Sequence, residues 1–170
     1  MTQIRREEQC DIEAIRLINH DAFGGDEEAR IVDALRTAND LEISLVAVDD
    51  DTVVGHIAFS PVQVIGNSTA HWDAIALGPM AVAPLYQRRG IGSELVRAGL
   101  TACRESGRLV VFVIGHQEFY PRFGFVPAAQ YGIKCEYDVP DEVFMVANLS
   151  PGALDSHRGT VRYADAFRQA

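Results

Sequence analysis

Two stretches of the chain hold residue types whose spacing can do chemistry. Residues 80–93, MAVAPLYQRRGIGS, pass from the end of an apolar strand through a proline to two glycines, Gly90 and Gly92, that open a helix. The first turn of a helix exposes backbone NH groups without internal partners and carries roughly half a positive charge, so it seats an anion. Glycines let phosphate oxygens approach those NH groups closely, and Arg88 and Arg89 add charge from the loop. The alternative is a strand-to-helix turn whose glycines serve packing only. Residues 110–125, VVFVIGHQEFYPRFGF, lead an apolar strand into Gly115 and a short helical segment bearing Tyr120. A phenol at the carboxyl end of a strand can donate a proton; the alternative is an amphipathic core tyrosine with its hydroxyl at the surface. Two dinucleotide motifs are excluded. GxGxxG needs a glycine where this chain has Leu95, and a P-loop needs a Gly-Lys-Ser/Thr that is absent.

The elements that must position these groups follow from periodicity. Residues 1–7 alternate weakly around Ile4, as an edge strand does. Asp11 stands as N-cap to a helix with apolar Ile12, Ile15, Leu17, Ile18 and Ala22, stopped by Gly24 and Gly25. Asp26 then caps a second helix with the stripe Ala29, Ile31, Val32 and Leu35. Strand patterns follow at 43–48, 53–64 and 72–82, joined by short polar turns in an antiparallel meander. The triple aspartate 49–51 lacks the carboxylate ladder of a calcium loop and reads as a solvated turn. The motif helix spans 90–105, with Ile91, Leu95, Val96, Leu100 and Cys103 on one face and Gly107 as its stop. The unbroken apolar run 109–114 marks a strand covered on both faces. A helical turn at 118–123, a loop rich in Gly, Pro and Ala, and strands at 143–149 and 160–163 complete the chain.

The whole is 170 residues, 48% hydrophobic, with 15 Lys+Arg against 24 Asp+Glu and a net charge of −9. A chain of this size buries a full core without staples. It has no apolar stretch of the roughly 20 residues needed to cross a bilayer, and its polar start lacks a signal peptide's apolar region, so one cytoplasmic domain over residues 1–170 is expected. Cys10, Cys103 and Cys135 are widely spaced and read as reduced thiols, with no metal site. The acidic balance argues against a nucleic-acid partner, which would require a basic face.

Together the two stretches resemble the GNAT superfamily of N-acetyltransferases. Gln87, Arg88, Arg89, Gly90, Ile91 and Gly92 match its Q/R-x-x-G-x-G/A pyrophosphate motif, and Tyr120 precedes Gly124-Phe125 as the family's tyrosine precedes its Gly-Phe. The order of elements agrees along nearly the whole chain. The LGPMAV, YPRFGF and FMVANLSPGAL segments are similar to those of small bacterial predicted acetyltransferases of undefined substrate. The resemblance implies an α/β (α+β) fold: a mixed, mostly antiparallel sheet of about seven strands with about four helices, splayed between the third meander strand and the strand after the motif helix.

It also implies acetyl-CoA as co-substrate, with no metal, and direct transfer of the acetyl group to a primary amine of a small molecule. The backbone of Met80, Ala81 and Val82 would hydrogen-bond the pantetheine amides, and Gln87, Arg88, Arg89, Gly90, Ile91, Gly92 and Ser93 would hold the pyrophosphate. His116 and Tyr120 complete the cofactor set, with Tyr120 as general acid to the departing thiolate. Some family members carry a glutamate six residues before the equivalent of Val82; here that position is Ala76. The base is therefore sought among Glu28, His71, Asp73 and His116, with Glu28 ranked first because the early helices form part of the acceptor wall in this superfamily. Further wall is expected from the loop 66–70 and from 127–142, and dimers are common in the superfamily. A non-catalytic acyl-CoA-binding sensor or accessory module is the competing function. A net charge placed on the acceptor side, through Asp26, Glu27, Glu28, Asp138, Asp141 or Glu142, would argue for a cationic amine; spread over the outer surface it would speak only for solubility.

Overall fold

The computed structural model describes residues 1–66, 71–154 and 157–168, so residues 67–70 of the expected loop wall lie outside the described residues. Strands β1 (Thr2–Arg6), β2 (Ile43–Asp49), β3 (Thr52–Ile65), β4 (His71–Val82), β5 (Val110–Ile114), β6 (Phe125–Pro127), β7 (Ile133–Cys135), β8 (Phe144–Asn148) and β9 (Gly159–Arg162) form one sheet. Three helices accompany it: α1 (Ile12–Phe23), α2 (Glu27–Thr37) and α3 (Ile91–Glu105). The main path is β1-β2-β3-β4-β5-β8-β6, with β9 joining the far end of β3 and β7 pairing with β9.

The count is nine described strands against about seven expected, and three helices against about four. Strands β6 and β7 have only three residues each, too few to show a period, and they interrupt the stretch read as loop. The expected fourth helix is a single 3-10 turn, Tyr120–Phe123, with Pro121 in it and Gly124 at φ 95° closing it. Pairing is antiparallel except for β4 with β5 and β7 with β9.

The three layers follow from alternation along the strands. In β2, Leu45 and Ala47 face a core with Leu95, Val96 and Cys103 of α3, while Val46 meets Ile15 of α1 and Val32 of α2 on the opposite face. Leu17, read as part of the α1 stripe, is exposed; Ile15 and Ile18 carry that stripe. Neither expected aspartate caps its helix through the side chain. Asp11 accepts from the Glu8 amide at 2.7 Å and binds the Arg5 guanidinium, capping the turn before α1, and Asp26 pairs with His20 Nδ1 at 2.6 Å. Between β2 and β3, Asp50 and Asp51 have φ of 46° and 63°, the left-handed pair of a two-residue hairpin turn that Asp tolerates better than most side chains. That accounts for the triple aspartate without a ligand.

Candidate functional site

The cleft originates in the β4 ladder. β4 pairs with β3 along its length to Val82, but with β5 only at Ile75, Ala76 and Leu77, opposite Val111, Phe112 and Val113. Beyond Leu77 the register with β3 shifts, at Gly78 (φ 132°) and Pro79, whose peptide bond is cis. A bulge of this kind bends the strand that carries the extra residue. From Gly78 to Val82, β4 therefore has a partner on its β3 side and an open edge towards β5. In an antiparallel ladder alternate residues direct their NH and C=O away from the partner, so this edge presents hydrogen-bonding groups to whatever enters.

A cavity of about 980 Å³ lies against that edge. It gathers Met80 and Val82 of β4, Gln87 and Arg88 of the following loop, Gly90, Ile91, Gly92 and Ser93 at the start of α3, His116 and Tyr120 after β5, and Glu28 in the first turn of α2. Two residues of the expected set are not in its wall. Ala81 points its side chain to the other face of β4 and is buried, and because the Ala83 amide bonds the Val54 carbonyl at 2.8 Å, alternation turns the Ala81 backbone to His56 of β3 and leaves Met80 and Val82 to face the open edge. Arg89 stacks its guanidinium on the Tyr86 ring at 5.1 Å.

The anion seat is built from backbone. Arg88 and Gly90 adopt φ of 64° and 83°, which turn the chain sharply into α3, and the first helical hydrogen bond runs from the Glu94 amide to the Gly90 carbonyl at 3.1 Å. The NH groups of Ile91, Gly92 and Ser93 precede that bond and have no intrahelical acceptor. A Cβ placed on Gly92 would meet only Met80, Phe119 and Val82 side chains, at 3.7 to 3.9 Å. That is ordinary contact, so packing does not demand glycine at position 92, and the space it leaves belongs to the cavity. Gln87 ties the loop to the strand, its carboxamide donating to the Val82 carbonyl at 2.9 Å.

Tyr120 owes its position to Gly115. The ring lies so close that a Cβ at residue 115 would overlap it, and the Tyr120 amide bonds the His116 carbonyl at 3.2 Å. Phe119 and Phe125 meet the ring edge-on at 5.0 and 5.6 Å. This burial pushes the phenol up from its ordinary 10.0 to about 12. The group thus stays protonated, because its anion would sit in a dry, aromatic surrounding.

Of the four base candidates, Glu28 and His116 line the cavity. Asp73 is exposed near the start of β4, outside the lining. Ala76 is buried in the core that packs with Val62, Phe112 and Val146, apart from the α3 cluster. The sequence reading missed Phe119 and Arg122, which stack at 4.7 Å beside the Gly92 face, and the wall formed by Phe23, Tyr137, Tyr163 and Phe167. Tyr137 and Tyr163 come together because β7 and β9 run parallel with Cys135 opposite Val161; each tyrosine lies two residues further on, and their rings are 5.6 Å apart. The Tyr163 hydroxyl is buried without a hydrogen-bond partner among the described residues. Among the acidic residues considered for the acceptor side, only Glu28 is in the wall.

A sheet parted beside a helix N-terminus, with a buried phenol in the cleft, has the architecture of the GNAT acetyltransferases. Residues 3–128 match the family described as "Acetyltransferase (GNAT) domain". The uncharacterized N-acetyltransferase YhbS of Escherichia coli K12 is 35% identical over 98% of both chains, and YjhQ of the same strain is 35% identical over 93% of this chain and 90% of its own. The crystal structure of Escherichia coli YhbS in complex with CoA superposes with a TM-score of 0.91, at 34% identity over 98% of this chain and 92% of that one. A GNAT acetyltransferase from Brucella melitensis in complex with acetyl-CoA gives a TM-score of 0.81, at 35% identity over 98% of both chains. The chain belongs to the GNAT acetyltransferase family.

Proposed function

We propose that the protein transfers the acetyl group of acetyl-CoA to a primary amine of a small molecule, with residues 1–170 acting as one domain. The observation that carries this reading is the convergence in one cavity of the open β4 edge, the first turn of α3 and Tyr120. The residues fit the co-substrate: Gly92 leaves space that a side chain would take, and the helix start offers NH groups to a pyrophosphate. Relatives bound to CoA and to acetyl-CoA have the same fold.

In this reading acetyl-CoA supplies an activated thioester, and the remaining tasks fall to the chain. Backbone groups of Met80 and Val82, the residues of this stretch that alternate away from β3, orient the pantetheine arm in the manner of an added strand. The Val82 carbonyl, already accepting from Gln87, keeps one lone pair for a second donor. Ile91, Gly92 and Ser93 hold phosphate oxygens through their NH groups, and Arg88 adds charge from the loop. Glu28 attracts the ammonium of the acceptor and takes its proton, directly or through water. Tyr120 presents its hydroxyl to the departing sulfur, where charge develops.

The test is thiol release from acetyl-CoA in the presence of a panel of amines, comparing the wild type with Tyr120→Phe. Expected is amine-dependent release, reduced by about tenfold to a hundredfold in kcat in the variant, the weight of one hydrogen bond to a charged atom. Silence across the panel with acetyl-CoA binding intact would overturn transfer in favour of a non-catalytic acyl-CoA-binding module.

A further inference from the structure

Resting on the transferase reading, we infer that the acceptor is an amine with a single cationic centre carried on an aromatic or alkyl body, and that the wall formed by α1, α2 and the C-terminal turn selects it. This wall differs in kind from the rest of the cavity. Ile31 follows Glu28 by one helical turn on the same face of α2, and it packs in one cluster with Phe167. Phe167 meets Tyr163 at 5.3 Å, and Tyr163 meets Tyr137 at 5.6 Å, so the apolar surface is continuous. At the end of α1, Phe23 is 47% exposed while lining the same cavity. An exposed aromatic ring bordering a continuous apolar wall is surface that a bound apolar group would cover.

Charge narrows the class further. The chain has 24 Asp and Glu residues, and among the described residues that line the cavity the one carboxylate is Glu28. The lining guanidiniums, Arg88 and Arg122, come from the loop before α3 and from the turn that carries Tyr120. One carboxylate pairs with one ammonium. A polyamine or an aminoglycoside would bring further cations against Ile31, Tyr137, Tyr163 and Phe167, where ring faces and a hydroxyl return less than their hydration and the described lining has no second carboxylate to pair with them. A lone ammonium next to Glu28 instead gains the carboxylate and the faces of nearby rings, while the body it is attached to covers the wall.

The experiment uses the full-length protein, saturating acetyl-CoA and thiol release, with phenethylamine and hexylamine set against spermidine, kanamycin and a lysine-containing peptide. Expected is a kcat/KM for phenethylamine or hexylamine above that of every polycationic acceptor by roughly tenfold or more, the weight of burying one apolar group of this size. Higher kcat/KM for spermidine, kanamycin or the peptide would overturn the inference and leave the transferase reading intact. No release with any of these amines, with acetyl-CoA still bound, would overturn both. Phe23→Asp adds a second carboxylate at a half-exposed helix end that the core does not depend on. It is expected to lower the phenethylamine-to-spermidine ratio by about tenfold. An unchanged ratio in a variant with unaltered thermal melting would overturn the placement of the apolar body against this wall.

Discussion

The two ends of the cavity are made of different material. At the α3 end the groups proposed to hold the co-substrate are backbone: NH groups of a first helical turn, an open strand edge, Gly90 whose positive φ turns the chain into the helix, and Gly92, which leaves room. At the α2 end the groups proposed to meet the acceptor are side chains: one carboxylate, four aromatic rings from α1, the segment after β7 and the C-terminal segment, and an isoleucine. Backbone recognition suits a ligand that does not vary, since the same amides serve any side-chain composition around them. Side-chain recognition suits the part that differs from one enzyme to the next, because a single substitution alters shape or charge there. In the proposed transfer, the co-substrate end would thus be held by conformation and the acceptor end by composition.

The strongest way to break this contrast is Gly92→Leu. The position tolerates a Cβ at ordinary contact distances, so the fold should survive, but the longer side chain would occupy the space beside Met80, Val82 and Phe119. Acetyl-CoA affinity is expected to fall by about a hundredfold, on the order of 3 kcal/mol, measured by calorimetry alongside an unchanged thermal melt. Retained affinity would mean that no ligand uses that space. Gly90 is the poorer probe, because its φ of 83° makes any replacement a test of backbone strain as well.

A smaller effect is expected at the other end. Glu28→Gln keeps the shape and removes the charge. Its expected result is a loss of about tenfold in kcat/KM for the amine, with acetyl-CoA affinity held within about twofold of the wild type. Steady-state kinetics in both substrates separate the two quantities. A parallel loss of acetyl-CoA affinity would show that the ends are not independent, and would place Glu28 within reach of the co-substrate.

The same contrast explains what could be read before the fold was known. The co-substrate end is contiguous: residues 80–93 carry the strand edge, the turn and the helix start in one stretch, so local rules suffice. Tyr120 was legible for a related reason, since one short segment joins it to Gly115, against which it packs. The aromatic wall was not legible. Tyr137 and Tyr163 are neighbours only because β7 and β9 pair in parallel, and β7 is a three-residue strand within a stretch that reads as loop. Phe23 is the last residue of α1, and nothing in its local sequence marks the cavity beside it. The surplus of acidic residues pointed to the acceptor side as one option, yet Glu28 is the one carboxylate in the described wall, so most of the negative charge faces elsewhere.

Between the two ends, Tyr120 offers the finest test, because its burial has a sign that can be followed. Desolvation raises the phenol from 10.0 to about 12, so the proton stays on throughout the range in which an amine acceptor is reactive. The kcat ratio of wild type to Tyr120→Phe is then expected to be flat from about pH 7 to 10, since a group with a pKa near 12 is only about 1% ionised at the upper limit. A ratio that halves by pH 10 would indicate an ordinary, hydrated phenol and an open cleft at this point. The same raised value limits what the residue can do. A departing thiolate with a pKa near the ordinary cysteine value of about 8.5 is a much weaker base than this phenolate, so full transfer of the proton is uphill by roughly three to four units. In the proposed transfer the hydroxyl would therefore act on the sulfur chiefly as a fixed hydrogen-bond donor, stabilising charge while keeping its own proton. In that proposed reaction the proton lost by the ammonium would leave by way of Glu28 or water, on the side-chain end of the cavity.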